Sequence, residues 1–105
     1  MTLRETQKAV DDFINQFEEG YWPPLSMLAA LVEETGELAR EINDKEGHKK
    51  KLVPDNSSLA LELGDSLFSL ICIANYYHIN LDEAFKAVLE KYSQRDTARW
   101  TKKSR

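Results

Sequence analysis

The sequence predicts an all-α domain of four helices, and three observations carry that expectation. Apolar residues recur at i, i+3, i+4 and i+7 in four separate runs. No stretch has the strict alternation of a half-buried strand, and Gly, Pro or polar clusters separate the runs. At 105 residues the chain amounts to a single domain, 1–105, whose core is small enough that contacts between copies are expected to complete the bundle. No internal repeat at solenoid spacing competes with this reading.

The first helix is expected near 3–19, where Val10, Phe13, Ile14 and Phe17 fall on one face. Gly20-Tyr21-Trp22-Pro23-Pro24 ends it, because Gly suits a helix C-terminus and the residue before Pro is pushed out of the α region. The second helix is expected near 24–43, with Pro24 in its first turn and Leu28, Leu31, Val32, Thr35, Leu38 and Ile42 on its apolar side. Residues 44–56 have no period and many polar side chains, so they read as a flexible connection. Its Lys49-Lys50-Lys51 run is read as a solvated stretch in preference to a phosphate-attracting patch. The third helix, near 57–78, has a narrow polar stripe of Glu62, Asp65, Ser66 and Ser69 in an apolar majority, which predicts a largely buried helix. Asn80 and Glu83 read as a capping box opening the fourth helix, near 81–95, whose Leu81, Ala84, Phe85, Val88, Leu89 and Tyr92 form the apolar face.

Composition narrows the function classes. The apolar runs fall short of the ~20 residues of a bilayer span, so no membrane association is expected. Met1 to Lys8 lacks the apolar core of a signal peptide, which predicts a cytoplasmic protein. Cys72, the one cysteine, lies in an apolar run without a neighbouring cation to lower its pKa, and reads as a small buried hydrophobe. Charge is uneven: residues 91–105 hold six basic groups against the single Asp96, and residues 1–90 hold eight basic against seventeen acidic. An acidic body of that kind repels nucleic acid, so the basic tail at 96–105 is not expected to support stable binding to it.

The acidic residues are not scattered. Glu33-Glu34-Thr35-Gly36-Glu37 lies in the second helix and Glu62-Leu63-Gly64-Asp65 in the third, and residues three apart share a helix face. Each helix thus presents a carboxylate pair whose like charges repel. No Lys or Arg occurs from Pro24 to Ala39 or from Leu52 to Ile79 to offset them. On the second helix alone, Glu33, Glu34, Glu37 and Glu41 fit a solvated face equally well. Carboxylates on a helix as apolar as the third need neutralisation, pairing or metal. Glu34, Glu37, Glu62 and Asp65 together make an oxygen-only ligand set, suited to Mg²⁺ with Mn²⁺ as a substitute. A di-iron bundle is disfavoured, because its Glu-x-x-His spacing is absent and neither His48 nor His78 stands at the required position.

These motifs resemble the MazG-like members of the all-α nucleoside triphosphate pyrophosphohydrolase superfamily, whose signature is EExxE followed by ExxD. Here 24 residues separate Glu37 from Glu62, and the resemblance covers most of the chain. It implies a MazG-like bundle that hydrolyses a nucleoside triphosphate to the monophosphate and pyrophosphate, in nucleotide-pool cleansing. It further implies Glu34, Glu37, Glu62 and Asp65 as metal ligands, and Glu33 as a further ligand or as the base that activates water. Lys91 and Arg95, four apart near the end of the fourth helix, resemble the family's cationic positions and suit phosphate oxygens. Trp22, in a break between helices, is a candidate for stacking on the base. The apolar third helix predicts a homodimer or homotetramer. The rival reading is a non-catalytic helical interaction module that keeps the acidic faces.

Overall fold

The computed structural model describes residues 1–55 and 58–104. It contains four helices: α1 (Leu3–Ile14), α2 (Pro24–Lys45), α3 (Leu59–Tyr76) and α4 (Leu81–Asp96), with no strand among the described residues. Ser57, where the third helix was expected to begin, Asn56 at the end of the expected connection, and Arg105 of the basic tail lie outside the described residues.

Helix ends are set by identifiable caps. The Thr2 hydroxyl accepts from the Glu5 N–H and the Glu5 carboxylate accepts from the Thr2 N–H, a capping box at the start of α1. Ser58 accepts from the Leu61 N–H at α3, and Asn80 accepts from the Asp82 and Glu83 N–H groups at α4. At the end of α3, His78 takes the left-handed conformation at φ 56. Its N–H donates to the Asn75 carbonyl, while the Ile79 N–H donates to the Ala74 carbonyl. This is a Schellman ending, in which two otherwise orphaned carbonyls of the last turn are satisfied. Gly47, at φ 75, ends α2 in the same way, through Gly47 to Asp44 and His48 to Asn43.

The first helix is shorter than its periodicity predicts. It stops at Ile14 rather than Glu19, with Asn15 as its C-cap. The Phe17 N–H then bonds the Ile14 carbonyl and the Gly20 N–H the Phe17 carbonyl, tight turns that take residues 15–20 off the helix axis. Phe17 packs edge-on to Phe13 with ring centroids 5.6 Å apart, and Tyr21 reaches back to α1 and α3.

Packing is strongest between α2 and α3, with α1 against α3 and α4 mainly against α1. Val10, Met27, Ile71 and Cys72 form the buried core, and Ile14, Tyr21, Ile73 and Leu81 pack around it. Met27 lies near the start of α2 whereas Ile71 and Cys72 lie near the end of α3, so the two helices run antiparallel.

The expectation that α3 is largely buried needs correction. Only a minority of Leu59–Tyr76 is buried within the chain. It hides Glu62, Ser69, Ile71, Cys72 and Ala74 but leaves Leu61, Leu63, Leu67, Phe68 and Leu70 exposed. With 18 residues and a mean hydropathy of 1.3, it is long and apolar enough to cross a membrane by length and composition alone, where the apolar runs were expected to fall short. A buried Glu62 on the face packed against α2 fits a protein core helix instead, since a carboxylate is expensive in hydrocarbon.

Residues 44–55, most of the expected flexible connection, make specific contacts that their composition does not suggest. Lys51 is not a solvated cation: its ammonium pairs with buried Glu41 and, at 2.9 Å, with Asp55, which also receives Arg40 at 3.2 Å. The Lys51 N–H donates to Asp44, so the segment folds back along α2. Glu41 therefore leaves the solvated face assigned to it, because burial demands a partner and Lys51 supplies one. These carboxylates hold the Lys51 pKa above its usual value, chiefly through the hydrogen bond to Glu41.

Candidate functional site

The α2–α3 pairing brings three motif carboxylates together. One oxygen each from Glu34, Glu62 and Asp65 lies within 4.8 Å of the other two. Glu62 is 5 % exposed, Glu34 is half-buried and Asp65 faces solvent, so the cluster runs from the interior to the surface. Oxygens on opposite sides of one Mg²⁺ are about 4.2 Å apart at its ~2.1 Å bond length. Neighbouring oxygens of one octahedral ion are only about 3.0 Å apart, so the trio would draw in by up to about 1.8 Å, through side-chain rotation, to share one hard divalent cation.

Electrostatics mark Glu34 as the strained member. Desolvation pushes its pKa up first, and the neighbouring charges of Asp65, Glu62 and Glu33 push it further in the same direction. Its Oε2 is buried and has no hydrogen-bond partner among the described residues. A buried lone oxygen beside further carboxylates fits a cation, which would satisfy it and offset the repulsion together.

Other residues singled out from the sequence stand differently. Glu33 and Glu37 are exposed on α2 and lie outside the three-oxygen group. Lys91 and Arg95 sit on the exposed side of α4, both over the ring of Tyr92, with Arg95 also paired to Asp96. Because α4 packs mainly on α1, the chain by itself does not bring these cations into the acidic group. Trp22 is 59 % exposed.

One helical turn from the carboxylates lies an apolar cavity of about 390 Å³. Phe13, Phe17, Tyr21, Trp22, Phe68 and Cys72 line it, together with Ala30 and Ser69. Ala30 is four residues before Glu34 and Ser69 four residues after Asp65, and in an antiparallel pair both steps run the same way. A turn rises about 5.4 Å, so acidic cluster and aromatic cavity adjoin along the α2–α3 seam. Burial raises the pKa of the Cys72 thiol, consistent with a packing role.

Known proteins match this chain over most of its length. The model of the MazG nucleotide pyrophosphohydrolase domain matches residues 23–100, which include both acidic motifs and α4. The chain belongs to the MazG nucleotide pyrophosphohydrolase family. Among its relatives, YpjD of Bacillus subtilis strain 168 is 50 % identical over 103 residues, covering 97 % of this chain and 93 % of YpjD. YvdC of the same strain is 28 % identical over 102 residues, covering 90 % and 96 %. The crystal structure of YpjD superposes with a TM-score of 0.83 at 47 % identity, covering 91 % of this chain and 97 % of that one. A Bacillus-conserved MazG protein described as a nucleotide pyrophosphohydrolase gives 0.79 at 45 % identity, covering 94 % and 97 %. The MazG fold, all-α and four-helical, is thereby that of this chain, and its class of activity is hydrolysis.

The structure also joins a polar group that the motifs do not single out. Asp11, Tyr21, Asn75 and Gln7 form a hydrogen-bonded network behind the aromatic cavity. A signal was available: Gln7 and Asn75 each interrupt an otherwise apolar stripe, and a polar group in a core position needs partners.

Proposed function

We propose that this chain hydrolyses a nucleoside triphosphate to its monophosphate and pyrophosphate, using Mg²⁺ or, in its place, Mn²⁺. The observation that carries the reading is the convergence of Glu34, Glu62 and Asp65, with a buried and partnerless Glu34 oxygen, beside a cavity walled by aromatic rings. Glu34, Glu62 and Asp65 would hold the cation, with Glu37 joining them from the same helix. When bound, the cation supplies positive charge that admits a polyphosphate to an acidic site and stabilises charge developing on the phosphate oxygens.

The remaining steps belong to the chain's own groups. Glu33, exposed next to the cluster, accepts the proton of the attacking water. The aromatic cavity takes the base, with Trp22 at its edge. A volume of about 390 Å³ lies within the range of small-molecule sites. Lys91 and Arg95 hold phosphate oxygens, and because α4 stands away from the carboxylates in one chain, assembly of copies brings cations and acids together. A homodimer or homotetramer is favoured by the exposed apolar side of α3. The physiological role consistent with this chemistry is cleansing of the nucleotide pool.

The test is incubation with a panel of ordinary and damaged nucleoside triphosphates and Mg²⁺, with nucleotide and pyrophosphate products resolved. Release of pyrophosphate that is lost in Glu37→Gln and Asp65→Asn is expected. No turnover of any member of the panel favours the helical interaction module instead.

A further inference from the structure

Residues 15–23 have no helix or strand of their own, yet Phe17, Tyr21 and Trp22 from this segment build one wall of the aromatic cavity. Its backbone bonds, Phe17 to Ile14 and Gly20 to Phe17, shape local turns and do not reach α3. The tie to both helices is the Tyr21 hydroxyl. It donates to Asp11 on α1 and accepts from Asn75 Nδ2 on α3 at 2.9 Å.

Behind that hydroxyl every polar atom is engaged. Asn75 Nδ2 also donates to the Gln7 carbonyl at 2.9 Å, and Asn75 Oδ1 accepts from Gln7 Nε2 at 2.9 Å. Gln7 Nε2 donates in addition to the Ile79 carbonyl at 2.7 Å, while Gln7 Oε1 accepts from the Leu81 N–H at 2.9 Å. Ile79 and Leu81 flank Asn80, the cap of α4. The network thus runs from the cavity wall to the first turn of α4. It is sheltered, with Gln7 only 9 % exposed. Such a saturated polar network holds one geometry, because any displacement strands a buried donor or acceptor.

We propose that Asp11 and Asn75 are positioning residues which, through the Tyr21 hydroxyl, set the aromatic wall against which the substrate's nucleobase lies. This rests on reading the cavity as the base site of a triphosphate hydrolase. Tyr21 offers the base its ring, since its hydroxyl proton is already given to Asp11. Burial and Asp11 push the phenol pKa up to about 12, so the hydroxyl remains a donor throughout the neutral range. A wall far from the reacting phosphorus contributes to ground state and transition state alike, so loosening it raises KM and leaves kcat in place.

The experiment uses the full chain with Tyr21→Phe, Asn75→Ala and the double variant. Steady-state kinetics are measured on the best triphosphate with Mg²⁺, and hydrogen exchange on the same proteins without nucleotide. Each single variant should raise KM about fivefold or more with kcat within about twofold, and the double should fall short of the product of the two effects, since both variants remove the one Tyr21–Asn75 hydrogen bond. Amides of residues 16–22 should exchange faster while those of the α2–α3 seam do not. An unchanged KM or unchanged exchange in Tyr21→Phe, which keeps the ring and removes only the hydroxyl, overturns the inference, and so do KM effects that multiply in the double variant. If the wild-type protein turns over triphosphates and Tyr21→Phe matches it, the positioning role alone falls. If the wild type turns over none, the nucleotide reading falls and takes the base-facing role with it.

Discussion

Replacing Glu34 by Gln should stabilise the metal-free protein and abolish its stabilisation by Mg²⁺. The magnitude follows from the cluster geometry. Two unit charges 4.8 Å apart repel by about 3.5 kcal/mol at an effective dielectric of 20 and by about 0.9 kcal/mol in water. Asp65 is exposed, so solvent screens the pairs strongly and about 1 kcal/mol of relief is the reasonable expectation. For a domain of this size that corresponds to a Tm rise of roughly 4–8 °C. The same repulsion fixes the pH dependence. Folding raises the Glu34 pKa above its unfolded value, so in the metal-free protein the unfolded chain gives up this proton first as pH increases. Stability therefore falls with rising pH through the window that begins at the ordinary carboxylate pKa and closes at the raised one, and Glu34→Gln removes that contribution. The assay is thermal unfolding by circular dichroism from pH 4 to 8, with chelator and with millimolar Mg²⁺. A Glu34→Gln protein that melts lower without metal, and still gains the wild-type increment from Mg²⁺, refutes the reasoning.

Three further outcomes are expected. The raised phenol pKa of Tyr21, about 12 against an ordinary 10, means the unfolded chain ionises first. The stability it confers is whole below pH 10 and is lost between about pH 10 and 12, at most ~2.7 kcal/mol for two pKa units, and alkaline denaturation of Tyr21→Phe should lack that component. Lys51→Met should lower Tm because it strands the buried Glu41 carboxylate, whereas Lys49→Ala and Lys50→Ala should leave Tm within error; equal effects at all three would contradict the ion-pair assignment. Leu67→Glu on the exposed side of α3 should shift the protein toward monomer in light-scattering chromatography, and an unchanged mass would place the subunit interface elsewhere.

Local signals made most of the fold legible. Pro24 at the first turn of α2, the cap at Asn80 and the apolar stripes located four helices in order, since caps and periodicity act within a few residues of chain. The misjudged features share a cause. Phe17 continues the stripe of α1 yet lies beyond the helix, in turns that carry Tyr21 back to Asp11 and Asn75. Lys51 looked solvated within a Lys run until folding set it against Glu41. The apolar composition of α3 implied burial, but composition does not say whether the same chain or another copy supplies the cover.

The spacing of Glu34 with Glu37 and of Glu62 with Asp65 was determined by sequence alone, as was the scarcity of cations around them, because helical geometry makes residues three apart neighbours. Which of those carboxylates meet, and that Glu34 bears an unsatisfied oxygen, was decided by the antiparallel register of α2 against α3. Tertiary structure also placed the aromatic cavity one turn along the same seam and wired its wall to Asp11 and Asn75. The network behind that wall joins residues up to 74 positions apart, and it forms because burial makes an unpaired polar atom costly, a relation that no local sequence pattern encodes.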